Sequence, residues 1–113
     1  MGGREAGGLS HLLPGYRVVN DDDHRADVEK AWGFQTGSIA PTPGMAVWDQ
    51  VEAMERGELD LWWVVATNPL VSLPDLDRVK AAIQRCPMVV VSEAYQASET
   101  AHYAHLLLPA AQW

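Results

Sequence analysis

The chain has 113 residues, enough for one domain with a modest core, and 48% of them are hydrophobic, five being tryptophan. Fifteen acidic against eight basic residues give a formal net charge of −7, and the few Lys and Arg are scattered, which argues against a nucleic-acid or anionic-membrane surface. Cys86 is the one cysteine, so no internal disulfide forms and no zinc or iron–sulfur ligand set is visible.

No apolar run reaches membrane-spanning length. The opening "MGGREAGG" has no apolar core of a signal peptide, so the expected compartment is the cytoplasm. Residues 1–43 read as an irregular arm with one short helix. "MGGREAGGLSHLLPGYR" is glycine-rich, and "GSIAPTPG" (37–44) carries two prolines. Between them, "DDDHRADVEKAWG" predicts a helix with Asp22 or Asp23 as N-cap and Gly33 as its stop. The arm has too few apolar residues for a core of its own and is expected to wrap over something larger.

From residue 44 the pattern becomes regular. Val47, Trp48, Val51 and Met54 fall at helical spacing, which predicts a helix over about 45–56 that Gly57 ends. "LWWVVA" (61–66) is a continuous apolar run of strand length, as expected of a strand covered on both faces. Leu76, Val79, Ile83 and Cys86 recur at three- and four-residue steps, a helix over 75–86 with Asp75 as a natural N-cap. "MVVV" opens a second buried strand over 88–92, followed by a short helix near 98–104 and a brief strand at 106–108. Buried strands alternating with amphipathic helices mean βαβ units and a parallel sheet. Residues 44–113 are therefore expected to form a partial Rossmann-like α/β domain.

In open parallel sheets ligands collect at the carboxyl ends of the strands. Here those ends carry Thr67-Asn68 and Ser92-Glu93. Asn68 offers a donor and an acceptor, and Glu93 accepts two donors at once, which suits a guanine edge or a ribose diol. The start of the following helix, over 75–86, would add free backbone N–H groups for a phosphate. An Asn before a Pro is also an ordinary turn residue, and the local pattern alone favours that reading. Neither GxGxxG nor GxxxxGK[ST] is present.

Taken together and in order, "MGGREAGGLSHLLPGYR", "HRADVEKAWG", "WWVVATNPLVSLPD" and "VVVSEAYQASETAHYAHLLLPAAQW" resemble the molybdopterin oxidoreductase family over nearly the whole chain. The likeness is greatest to assimilatory nitrate reductases, with periplasmic nitrate reductases and formate dehydrogenases as cousins. The resemblance implies a large subunit that holds molybdenum between two molybdopterin guanine dinucleotides, with a Rossmann-like domain cradling one of them. By position it makes Asn68, Ser92 and Glu93 cofactor contacts, Glu93 standing where relatives often have Asp, and Thr67 a weaker candidate that shapes the turn. It implies that the remainder of a longer enzyme chain is the partner, with no nucleic acid or membrane.

The family's iron–sulfur cysteines and its metal-ligating residue have no counterpart here, so a cluster expected in the full-length enzyme is not bound by these residues, and the piece alone is expected to be inactive. Ser98 replaces a usual Thr and His105 a usual Asp, which puts the local bonding at His105 in question. Two other functions stay open beside a nitrate-to-nitrite reductase: a stand-alone nucleotide- or partner-binding module, and a non-functional truncation. Cys86 reads as a packing residue, and Trp48, Trp62 and Trp63 read as core. His11, His24, His102 and His105 lack the spacing of a metal set. Arg4 and Glu5 are either cofactor neighbours or a loop ion pair, and Trp113 is either a cleft-lining or a packing residue.

Overall fold

The computed structural model describes residues 2–5, 7–9 and 11–111, so Trp113 lies outside the described residues. The chain divides into two compact units, one up to Gly44 and one from Met45 onward.

The first unit is built around helix α1, Asp22–Trp32. Its N-cap is Asp21, not Asp22 or Asp23: the Asp21 carboxylate accepts the His24 N–H at 3.0 Å. Three consecutive aspartates offer the same chemistry, and only the extended backbone of Asp21 decides which one caps. Gly33 ends the helix in the left-handed region, φ 71°, as the sequence predicts. Before α1, Leu13 and Arg17 close a small antiparallel bridge, and Arg17 reaches on to Asp27. Glu29 is 3% exposed, and its two oxygens accept the Gly37 and Ile39 N–H groups at 3.0 and 2.8 Å. Those bonds hold its carboxyl below the usual carboxylate range, Ile39 contributing most. A buried charge is tolerable when its oxygens are filled in this way. Arg4 and Glu5 form a long exposed ion pair, 3.9 Å.

The second unit runs α2 (Val47–Glu55), β1 (Leu61–Val65), α3 (Pro69–Ser72), α4 (Leu76–Arg85), β2 (Met88–Glu93), a 3-10 turn (Ala101–Tyr103) and β3 (Leu106–Pro109). The sheet order is β1-β2-β3 and both pairings are parallel, so the α/β expectation holds. α2 and α4 pack side by side. The Arg78 guanidinium donates to both Glu55 oxygens at 2.6 Å and lies 5.0 Å from the centre of the Trp48 ring. Beneath them, Val51, Met54, Val79, Ala82 and Ile83 meet Trp62, Val64, Val89 and Val91 from one sheet face. Trp62 buries its ring there because Gln50 accepts its indole N–H at 2.8 Å.

Further expectations need correction. The strand run "LWWVV" is covered on one face only: Trp62 and Val64 are buried, while Leu61, Trp63 and Val65 are each more than half exposed. Trp63 is therefore not core, and Trp48 is a half-buried neighbour of the core. Asp75 precedes α4 but does not cap it: its backbone is left-handed, φ 50°, and its side chain makes no cap bond. The predicted helix over 98–104 contracts to the three-residue 3-10 turn, and the segment after Asn68 holds a helical turn, α3, where only a loop was expected.

Cys86 is buried, with its sulfur 3.3 Å from the Met88 carbonyl, a packing position. At the start of β3, His105 Nδ1 accepts the Val89 N–H at 3.0 Å while its own N–H donates to the Val89 carbonyl. A ring nitrogen thus supplies the acceptor for the Val89 N–H.

Candidate functional site

β1 and β2 end side by side, Val65 opposite Ser92, and Ala66 N–H still donates to the Ser92 carbonyl. Ala66 then turns the chain in the left-handed region at φ 52°, unusual for a residue with a Cβ. Thr67 follows on the surface and Asn68 is half-buried.

The Asn68 carboxamide is engaged on both ends. Its Oδ1 accepts the Thr100 hydroxyl at 2.6 Å and the Thr100 N–H at 3.3 Å, and its Nδ2 donates to Glu99 at 2.6 Å. Thr100 is fully buried, and its hydroxyl oxygen accepts the Leu70 N–H at 3.2 Å. The hydroxyl proton must therefore point at Asn68. The Asn68 amide holds the Glu99 carboxyl below its ordinary range. Asn68 thus ties the far end of the β2–β3 connection to the tip of β1.

Glu93 holds the near end of the same connection. Its Oε1 accepts the Ala94 N–H at 2.7 Å and the Tyr95 N–H at 3.3 Å. Ser92 points to the exposed sheet face, where its Oγ accepts the Trp63 indole N–H at 2.9 Å. The structure thus brings Asn68 and Glu93 to the two ends of one loop and leaves Thr67 at the surface.

Two partners escape a reading of strand ends, Glu99 and Thr100. The short pattern Ser98-Glu99-Thr100 just before a helical turn is the signal that could have pointed to them. The start of α3, a turn the sequence did not suggest, leaves no N–H free for a phosphate. Pro69 has no N–H, Leu70 N–H is taken by Thr100, and Val71 and Ser72 N–H groups both close on the Asn68 carbonyl. A shallow open depression of about 600 Å³ runs beside this latch, between α3 and the 3-10 turn, with Lys80, Glu99 and His102 as its polar members. Among the described residues no group of His, Cys, Asp and Glu could hold a metal ion, and no helix is long and apolar enough to cross a membrane.

The family model described as Molybdopterin oxidoreductase matches residues 3–113. The chain belongs to that family. It is 54% identical over its full length to a nitrate reductase of Synechocystis sp., of which it spans 16%. It is 41% identical to a periplasmic nitrate reductase of Desulfovibrio desulfuricans, spanning 15% of it. It is 34% identical to the assimilatory nitrate reductase catalytic subunit of Bacillus subtilis, again spanning 16% of that protein. The 113 residues thus correspond to a small part of each relative.

Proposed function

We propose that these residues are one part of a molybdenum-dependent nitrate reductase that converts nitrate to nitrite, in which residues 44–113 form part of the cradle for a guanine-dinucleotide arm of the cofactor. The observation that carries the reading is the family match over nearly the whole chain, joined to a parallel sheet whose adjacent strand ends carry Asn68 and Glu93. Bound in this way, molybdenum bis(molybdopterin guanine dinucleotide) supplies oxygen-atom transfer. Metal and iron–sulfur cluster are assigned in this reading to the remainder of the enzyme chain, which is the partner. The cytoplasm is the proposed compartment.

Within the cradle the residues have separate tasks. Both backbone bonds of Glu93 fall on Oε1, so Oε2 is the atom suited to paired N–H donors such as those of a guanine edge. Ser92 adds a hydroxyl at the same strand end. Asn68, occupied by Glu99 and Thr100, sets the shape of the loop between them, and Thr67 completes the turn.

The test is the full-length enzyme carrying Glu93→Ala, assayed for molybdenum and for guanine nucleotide released on acid hydrolysis. Leaving base donors unpaired costs about 1–3 kcal/mol, so both contents should fall together and Glu93→Asp should recover most of the loss. Normal contents of both in Glu93→Ala would overturn the cradle reading.

A further inference from the structure

Val89 in β2 is fully buried, and one residue at the start of β3 holds both of its backbone groups. The His105 N–H donates to the Val89 carbonyl at 2.9 Å, and the His105 ring takes the Val89 N–H on Nδ1 at 3.0 Å. The ring is needed there. The chain before His105 is leaving the 3-10 turn Ala101–Tyr103, and β3 begins only at Leu106, so strand backbone does not extend far enough to accept that N–H. A buried N–H without an acceptor is costly. An Nδ1 that accepts carries no proton, so the neutral ring holds its hydrogen on Nε2. His105 itself is exposed, within reach of protons from solvent.

We propose that His105 is a pH-sensitive clasp: neutral, its ring locks the start of β3 onto β2, and protonation at Nδ1 releases that end of the strand. The proton turns the acceptor into a donor and sets it against a second donor, leaving the buried Val89 N–H without a partner. The clasp is closed while the ring is neutral and opens as pH falls through the imidazole range, from about pH 8 to about pH 5. Its surroundings offer the cation no compensating charge. Among the described residues, the one histidine within ion-pair distance of a carboxylate is His24, 4.0 Å from Asp21. On β2 the titratable residue is Glu93, at the opposite end of the strand and paired with Pro109. On the 3-10 turn, His102 is bonded through Nδ1 to the Ser98 carbonyl, and Tyr103 packs against the core. Before β2, the Cys86 sulfur lies near the Leu59 and Met88 carbonyls, and Arg85 donates to the Glu55 carbonyl. Asp60, whose carbonyl accepts the Met88 N–H, is one strand further away, before β1. The far end of β3 stays tied when the clasp opens, because there the Ala110 N–H donates to the Glu93 carbonyl and neither atom titrates.

The test is amide hydrogen exchange read by mass spectrometry on the full-length enzyme at about pH 8 and about pH 5.5, each rate divided by that of the same peptide unfolded at the same pH. Peptides carrying Val89 and β3 should lose protection about tenfold or more at the lower pH, while the β1 peptide, residues 61–65, keeps its own. His105→Asp and His105→Asn keep a side-chain oxygen as acceptor and do not titrate in this range. Their protection should therefore be the same at both pH values. The wild-type comparison stands by itself should a variant fail to fold. Three results would overturn the proposal: wild-type protection unchanged between the two pH values, the same loss in a folded His105→Asp or His105→Asn enzyme, or a loss that strikes the β1 peptide equally. The cofactor content of Glu93 variants does not enter this test, so the two readings fail separately.

Discussion

The carboxamide oxygen of Asn68 and the buried hydroxyl of Thr100 lie 2.6 Å apart, joining the end of β1 to a residue thirty-two positions later. Around that bond the Leu70 N–H, the Thr100 N–H and the Glu99 carboxylate are all satisfied. Asn68→Ala removes the acceptor for two buried donors, an expected loss of about 1–3 kcal/mol of stability. Asn68→Asp keeps the acceptor but faces Glu99 with a like charge. It should lose less than the alanine variant at pH low enough to discharge Glu99, and the gap should narrow at neutral pH. Urea unfolding at both pH values checks this. Equal stability of wild type and Asn68→Ala would mean that the latch contributes nothing.

Acid should loosen the α2–α4 pair. The Arg78 hydrogen bonds hold the Glu55 carboxyl below its ordinary 4.5, and the same contact raises Arg78. A carboxyl depressed in the folded state contributes fully above its unfolded value, and the contribution is lost as pH falls from near 4.5 through the folded value. Glu29, Glu58 and Glu99 shift in the same direction. Stability should therefore fall below about pH 4.5, with Glu55→Gln less stable at pH 7 but showing a shallower acid limb. Parallel limbs in the two proteins would remove Glu55 from the account.

Ala66 turns the chain after β1 at φ 52°. A left-handed conformation costs a residue with a Cβ roughly 1–2 kcal/mol, and glycine avoids this while giving back about 0.5–1 kcal/mol of chain entropy. Ala66→Gly should thus raise the urea midpoint by a small margin, up to about 1 kcal/mol in stability, with an unchanged denaturant slope. A clear loss of stability would show that the alanine methyl makes a packing contact worth more than the strain.

The purified 113-residue chain should not reduce nitrate. None of the described residues can assemble a metal site, and Cys86 is buried. Reduced viologen with nitrate is the assay, against a metal-free control. Turnover above that control would show that the chemistry needs far less of the enzyme than its relatives carry.

Periodicity alone determined the second unit's main elements, though not α3 or the 3-10 turn: an apolar run of strand length, two amphipathic helices and a second apolar run imply a parallel βαβ arrangement. Glycine chemistry likewise marked the end of α1, since a left-handed stop needs no tertiary partner. The choice among Asp21, Asp22 and Asp23 was not legible, because three identical side chains differ only in backbone. Nor was the failure of Asp75 to cap α4, which follows from the backbone entering that helix left-handed. At the site, the strand ends were visible but their partners were not. Asn68 reads as a turn residue or a ligand contact in sequence, and only folding sets Glu99 and Thr100 against it from across the sheet. Trp62 and Trp63 make the same point most simply. Adjacent residues of identical chemistry face opposite sides of a strand, and which side the helices occupy is a property of the packed chain, not of the run itself.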